Sequence, residues 1–453
     1  MNKKRSYDWM DVAVIATFIV FFGFLWIVGE PLYLSDTYQH ENQFVTREPV
    51  YALLIQLIRT ISPKYQYEWL VAIQNLLAMF AHIIFVLFLR KRFSIKNIWM
   101  PVVVFVVLTP HILTPIGSAS HMIITNSLLS EGISFSLYLF FIIYLLRMLD
   151  SEKIIGRDSL IALGWALFLS MVRGQMMTLL LVWFLVLAVK SCLQKKYRKL
   201  LWLGIILIAS FLSRGLLIKT YNYCEQGLFV STAAGKAMSV ANVLYVAERE
   251  DGEAIEDEQL RNFFYEIYDA AYQDEMLAVF SPSGLMARAK HHEECHDTLN
   301  FDYFGEAAKL YVRDTKGIYL DEFQQLMVEV DEVASVLQRE LMPEVLLRYA
   351  YNYVSVIAMG FVRSVAIVHP LLNWYALIIY IVAVILMCWL LKKNKKSKAA
   401  IFMAVVLLMI VGNVTATSLM IQCISRYMIY NLPLFYLAGM FMLIESWQII
   451  RKK

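Results

Sequence analysis

The sequence predicts an all-α polytopic membrane protein of about ten transmembrane helices, with a small, mainly helical extracytoplasmic domain. Three observations predict it. Hydrophobic residues make up 59% of the 453 and charged ones 17%, with a mean hydropathy of +0.57. Soluble domains are nearer half apolar and a quarter charged. The apolar residues gather in runs of about twenty, the length that crosses ~30 Å of hydrocarbon. Charge is segregated as well. Residues 221–345 hold 25 acidic and 9 basic residues, a balance of −16 in a chain whose net charge is +4. The rest is therefore strongly basic, in short clusters beside apolar runs: KKR (3–5), RKRFSIK (90–96), KSCLQKKYRK (190–199), KKNKKSK (392–398) and RKK (451–453).

The first run, 11–33, is too long for a signal peptide and lacks a small-residue cleavage site, so it reads as a retained span. A polar loop, 34–68, follows. Runs at 69–89, 98–116, 122–146, 158–172, 174–191 and 200–219 complete an N-terminal membrane module, 1–219. With a cytoplasmic N-terminus, the segments 90–97, 147–157, 192–199, 392–398 and the C-terminus all fall inside, as short Lys/Arg-rich loops prefer. Residues 220–345 form the acidic outer domain. Its stretches DEQLRNFFYEIYDAAYQDEM and YLDEFQQLMVEVDEVASVLQREL repeat apolar residues at three- and four-residue steps, as helices with one buried face do. The segment 346–371 is apolar enough to span, but a span there would carry KKNKKSK outside. It is therefore expected as an interfacial helix, with Arg348, Tyr349, Tyr351, Tyr353, Arg363 and His369 at headgroup level. Runs 372–391, 399–420 and 427–446 make a C-terminal module, 372–453.

The chemistry concentrates in LSDTYQHENQFVTREPVYALL, which holds Asp36, His40, Glu41, Arg47 and Glu48 between two apolar runs. Further charges sit where hydrocarbon would tax them by about 2.5–3.5 kcal/mol each. Glu131 stands nine residues into its expected span. Arg173 occupies a hairpin, Arg214 lies five residues from a span end, and Arg426 opens the last span. All fall in the outer half of the membrane, as does His121. Singly, the arginines also suit snorkelling or structural ion pairs, and Glu131 suits a buried pair with one of them. Jointly they describe a polar cavity open to the outside. Arginines bind phosphate through forked, charge-assisted hydrogen bonds, and a neighbouring carboxylate can act as general base. A lipid phosphate would rest at that depth.

These segments resemble the GT-C superfamily of membrane glycosyltransferases, in particular the protein mannosyltransferase and aminoarabinose transferase type. LSDTYQHENQFVTREPVYALLIQLI is similar to that family's first outer loop, with Asp36 at the catalytic carboxylate and Arg47, Pro49 and Tyr51 at the turn into an amphipathic helix. TNSLLSEGISFSLYLF, LSMVRGQMMTLLL, HPLLNWYALIIY and SRYMIYNLPLFY resemble later family segments; they place Glu131 in a helix with a polar-acidic pair, Arg173 in a short hairpin, and Arg426 and Tyr427 near the donor phosphate. Many relatives carry Asp-Glu where this chain has Asp36-Thr37. Its Arg-Glu-Pro turn is similar to one in polysaccharide polymerases, so Glu48 stands second to Asp36 as the carboxylate.

The resemblance implies an inverting transferase of a bacterial plasma membrane, with both termini cytoplasmic and the active site extracytoplasmic. It would move a sugar from a polyprenyl-phosphate donor to a glycan, lipid or protein acceptor. Asp36 and Glu48 are the catalytic candidates. His40, Arg47, Tyr51, His121, Glu131, Arg173, Arg214, Arg363, Arg426 and Tyr427 are the substrate-binding ones. The alternatives are a polymerase of lipid-linked repeats and a transporter of lipid-linked sugars. No cofactor is required, and a divalent cation is left open. In KHHEECHD, His292 and His296 stand at i, i+4 as zinc ligands can, but a solvated helix face is the favoured reading. No Gly-rich phosphate loop, nucleotide-sugar strand pattern or nucleic-acid surface is present. Five cysteines make no disulfide framework, and the pairing of Cys224 with Cys295 is left open.

Overall fold

Hydrocarbon offers a backbone no hydrogen-bond partner, so apolar runs of this length must be helical. In a computed structural model that describes residues 8–117, 121–367 and 371–451, the chain is helical throughout, with no strand among the described residues. The N-terminal half comprises α1 (Trp9–Val28), α2 (Ser35–Glu41), α3 (Pro49–Ile61), α4 (Gln66–Phe93), α5 (Met100–Gly117), α6 (Glu131–Asp150), α7 (Arg157–Val172), α8 (Thr178–Leu193) and α9 (Arg198–Gln226). A helical domain follows, with α10 (Gly235–Val246), α11 (Glu258–Gln273), α12 (Leu285–Thr298), α13 (Glu306–Lys316) and the start of α14 (Phe323–Arg363). The chain closes with α15 (Leu372–Lys393), α16 (Lys398–Met420), α17 (Ser425–Met428) and α18 (Leu432–Arg451).

Local chemistry sets several boundaries. The carboxylates of Asp8 and Asp257 accept from the first-turn amides of α1 and α11, and Ser397 does the same for α16. Pro49 opens α3 at a position where no amide is needed. Gly227 and Gly317 end α9 and α13 at φ +72°, a left-handed conformation that glycine adopts without a Cβ clash.

Ten helices among the described residues, counted with their flanking 3₁₀ turns, are long and apolar enough to cross a membrane. They are α1, α4, α5, α6, α8, α9, α14, α15, α16 and α18. The set differs from the sequence expectation in two members. The run at 158–172 becomes α7, only 16 residues or ~24 Å long, which is short for a span. The segment 346–371 is not a separate helix. It continues α14, a single helix of 41 residues, so the boundary expected at 345/346 falls inside it. The His369–Pro370 step lies outside the described residues.

α14 ties two cores together. Its first half buries Leu326, Val330, Leu337 and Leu341 with Tyr245, Phe264 and Phe304 in the domain core. Its second half buries Val356 with the bundle core of Phe85, Phe141, Trp183 and Phe402. That second half packs against the C-terminal part of α16 and the chain that follows it. Tyr349 donates to Leu419 O, Tyr353 to Thr415 O and Arg363 to Cys423 O, while Gly360 lies against Val414 and Cys423. Tyr380 of α15 also donates to Phe361 O. The end of the bundle reached here also carries α2, α3 and the domain.

The span expected at 122–146 begins later, at Glu131, because 121–130 is irregular chain, buried in the bundle from Met122 onward. Backbone of that kind survives away from water only where protein groups satisfy it. Here Gln74 Nε2 donates to the carbonyls of Thr125 and Ser127, each at 3.0 Å. Thr37 donates to Leu128 O. Leu32 and Ser127 form an isolated parallel bridge. Asn126 Nδ2 donates to the carbonyls of Leu25 and Gly29, closing the end of α1. Gly29 is required for that approach, since a Cβ there would stand 2.4 Å from Asn126 Nδ2.

Gln74→Leu should therefore orphan the Ser127 carbonyl and the Tyr51 hydroxyl, which also bonds Gln74. Each orphaned buried group costs about 1–3 kcal/mol. Thermal unfolding in detergent should drop by several degrees, whereas an unchanged transition would show that the irregular segment does not depend on Gln74.

Candidate functional site

The buried segment 121–130 delivers Glu131 to the N-terminus of α6, where the helix dipole favours a carboxylate. Glu131 is therefore an end-of-helix group and not one buried nine residues into a span. Arg173 meets it from the break between α7 and α8. Arg173 follows the last residue of α7 and caps it with extended backbone, and its Nη1 lies 2.5 Å from Glu131 Oε2. Its Nε donates to Gln175 Oε1 at 2.8 Å. Gln175 Nε2 reaches Asn413 Oδ1 and Tyr427 O, which joins the break to α16 and α17.

From this pair the charges alternate toward the surface. Arg426, on α17, places Nε 3.9 Å from Glu131 Oε1 and Nη2 3.7 Å from Asp36 Oδ2. Asp36 Oδ1 meets Arg47 Nη2 at 2.6 Å. Side-chain exposure is 8% at Glu131 and 12% at Arg173 but 26–29% at Arg426, Asp36 and Arg47, so these three form the solvent-facing part of the row. The Tyr427 ring lies 4.9 Å from the guanidinium carbons of both Arg173 and Arg426. Cation–π contact of this kind holds two like charges on one ring.

A second pair stands alongside. Glu48 Oε1 lies 3.7 Å from Arg214 Nη2, and Arg214 Nε donates to Ser170 O. Gly174 permits the approach, because a Cβ there would stand 2.5 Å from Glu48 Oε1. Burial pushes the Glu48 carboxyl up, and the charges of Arg214 and Arg47 oppose that shift. In total the site brings four arginines against the carboxylates of Asp36, Glu48 and Glu131, a surplus of one positive charge within this set.

The two remaining loop candidates play supporting parts. His40 is buried with its ring 5.0 Å from that of Tyr51. Burial lowers its pKa to about 3, so it is neutral at ordinary pH. Tyr51 is fully buried and donates to Gln74. Neither side chain is presented at the surface of the charge row.

Three further sets of candidates lie apart from the row. His121 is exposed at φ +48° with Nδ1 directed at Pro115 O, and no ion pair joins it to the row among the described residues. Arg363 instead pairs with Glu293 of the domain at 2.6 Å. His292 and His296 are core groups and not a solvated face. Both are fully buried, with His292 Nε2 bonded to Asn242 and His296 Nδ1 to Asp297. No group of three or more metal-ligating side chains occurs among the described residues. Cys224 and Cys295 are both free, the first exposed on α9 and the second buried in the domain.

Gln74, Gln175, Asn413 and Tyr430 belong to the site's frame but carried no sequence signal, being neutral residues in apolar runs. Tyr430 bonds Ser134 Oγ at 2.7 Å and lines, with Glu131, Phe135 and Arg426, a space of about 10 Å³. That is room for a single water.

Removing one partner of a buried pair strands the other's charge, at about 3–5 kcal/mol. Arg173→Ala should therefore destabilise the protein more than Arg173→Met combined with Glu131→Gln, as read by thermal unfolding. Equal losses would show that the pair is not coupled. No protein-family model, curated protein or solved structure matches the chain, so a functional reading rests on its own residues.

Proposed function

We propose that the protein is a membrane glycosyltransferase that moves a sugar from a polyprenyl-phosphate donor to a glycan, lipid or protein acceptor. The acidic domain and the charge row would face the extracytoplasmic side. The observation that carries this reading is the row itself: four arginines and three carboxylates from α2, the turn before α3, α6, the α7–α8 break, α9 and α17, gathered at one end of a bundle of apolar helices. An arginine without a carboxylate at hydrogen-bonding distance, as Arg426 is, calls for an anion, and a phosphate suits forked guanidinium donors. A lipid-borne phosphate also reaches such a site without leaving the membrane.

Arg426 is the residue assigned to the phosphate. Its contacts to Asp36 and Glu131 are longer than hydrogen bonds, and its Nε has no hydrogen-bond acceptor among the described residues. Two unit charges about 4 Å apart still attract by about 4 kcal/mol at an effective dielectric of 20. Arg426 Nη2 donates to the Tyr427 hydroxyl at 2.8 Å, so Arg426 is held by one neutral hydrogen bond and by charge, and an incoming phosphate can compete for it. Arg173, fixed by Glu131 and Gln175, supplies background potential.

Asp36 is the assigned general base. Its Oδ1 is occupied by Arg47, which orients the carboxylate, and its Oδ2 faces the Arg426 side. The acceptor hydroxyl oxygen attacks the anomeric carbon as its proton passes to Oδ2. The bond from that carbon to the phosphate oxygen breaks, and polyprenyl phosphate leaves with its electron pair against Arg426. The configuration inverts. Glu48, buried beside Arg214 and Gly174, is assigned a strut's role, which disfavours the polymerase reading that its Arg-Glu-Pro turn suggested.

Asp36→Asn should lower cell-surface glycan modification by about 10²-fold or more, the contribution of a general base, while undecaprenyl phosphate still raises the variant's melting temperature in nanodiscs. Arg426→Ala should weaken that thermal response by about tenfold or more in ligand concentration. Unchanged glycans in the first variant would remove Asp36 as the base. An unchanged response in the second would remove Arg426 from the phosphate.

A further inference from the structure

The charge row is described above as a property of the bundle, yet one carboxylate of the domain also faces it. α12 presents Glu293 and Asp297 on one face, at i, i+4, and both reach the chain between α16 and α17. Glu293 pairs with Arg363, which donates to Cys423 O. Asp297 Oδ1 accepts from Gln422 Nε2 at 2.9 Å and from His296 Nδ1 at 3.2 Å. Gln422 lies four residues before Arg426. The charge of Arg426 acts on Asp297, which is held below the usual carboxylate range, first by its hydrogen bond with His296.

Two features separate Asp297 from an ordinary docking residue. The first is exposure: its side chain is 64% exposed, while the adjacent His296 is fully buried. The second is the state of its oxygens. Both hydrogen bonds end on Oδ1, and no donor among the described residues reaches Oδ2. A carboxylate fixed through one oxygen and open to water through the other is prepared for a ligand that donates hydrogen bonds. Asp36 has the same arrangement on the other side of Arg426, with Oδ1 paired and Oδ2 turned toward the arginine.

We propose that Asp297 is an acceptor-binding residue: its Oδ2 takes hydroxyl groups of a saccharide acceptor at the mouth of the site, so that the acceptor lies between the domain and the bundle. This inference rests on the transferase reading above. It makes the acidic domain part of the substrate site, with Gln422 and His296 as positioning residues that hold the carboxylate. The competing role is a purely structural one, in which Asp297 only steadies the chain that carries Arg426.

Asp297→Asn separates the two roles, because the amide oxygen still accepts from Gln422 and His296 while the charge is lost. The full chain in nanodiscs would be tested by saturation-transfer NMR against a panel of methyl hexosides and pentosides, and by thermal shift with undecaprenyl phosphate. The expected result is a glycoside signal with the unsubstituted protein that weakens by about tenfold or more in Asp297→Asn, the scale of one charged hydrogen bond. The undecaprenyl phosphate response should stay unchanged. A full glycoside signal in the variant, or no signal from any glycoside with the unsubstituted protein, would overturn the proposal. So would a glycoside loss seen only in Asp297→Ala together with a weakened undecaprenyl phosphate response, the signature of the structural role. An Asp297-dependent glycoside signal in a protein that never responds to undecaprenyl phosphate would support the saccharide site and refute the lipid-phosphate reading.

Discussion

The contact on which the rest of the site depends is the ion pair of Glu131 with Arg173. Both side chains are largely removed from water, and a charge so placed is tolerable only beside its opposite. The pair also fixes chain geometry. Glu131 can reach Arg173 because α6 starts late, after ten residues of irregular chain that Gln74, Asn126 and Thr37 hold in place. Arg173 can reach Glu131 because α7 stops short and the chain turns through Gly174. Two departures from regular span-length helices, each costly alone, meet at one salt bridge.

What the pair leaves over defines the chemistry. With Arg173 satisfied by Glu131, Arg426 shares the outer oxygens of Glu131 and Asp36 at distances too long for good hydrogen bonds. Arg47 takes one oxygen of Asp36 and leaves the other toward the arginine. The interior of the row is thus rigid and its exterior is adaptable, as a binding site needs if its frame is to persist while a ligand exchanges. α14 adds a second constraint. One helix belongs to both cores and packs on the end of α16, and α12 grips the chain before Arg426 directly through Asp297 and, by way of Arg363, through Glu293. Motion of the domain and of that chain should therefore be coupled.

Much of this was legible in the sequence because charge is expensive in hydrocarbon. Asp36, Arg47, Glu48, Glu131, Arg173, Arg214 and Arg426 stood out singly, and the structure gathers all seven. Helical character was equally plain from run lengths, and the amphipathic stretches at 257–276 and 319–341 predicted helices in that region. Other features left no periodic trace. The irregular segment 121–130 is apolar enough to read as the start of a span, since its carbonyls are satisfied by side chains from distant α2 and α4. α14 hid as two elements because its polar half and its apolar half follow different rules. His292 and His296 read as a solvated helix face because the chain that packs over them is distant in sequence, with Asn242 on α10, which bonds His292, fifty residues away. His121 and Arg363 shared the expected depth but not the location, which depth alone cannot give.

The central claim is that Arg426 and its neighbours hold a lipid-linked phosphate. An electron cryomicroscopy map of the protein in nanodiscs loaded with undecaprenyl phosphate measures this directly. Phosphate density within hydrogen-bonding reach of the Arg426 guanidinium, with the Glu131–Arg173 pair intact, is the predicted result. Lipid phosphate found only along the outside of the bundle, with Arg426 still between Asp36 and Glu131, would contradict it.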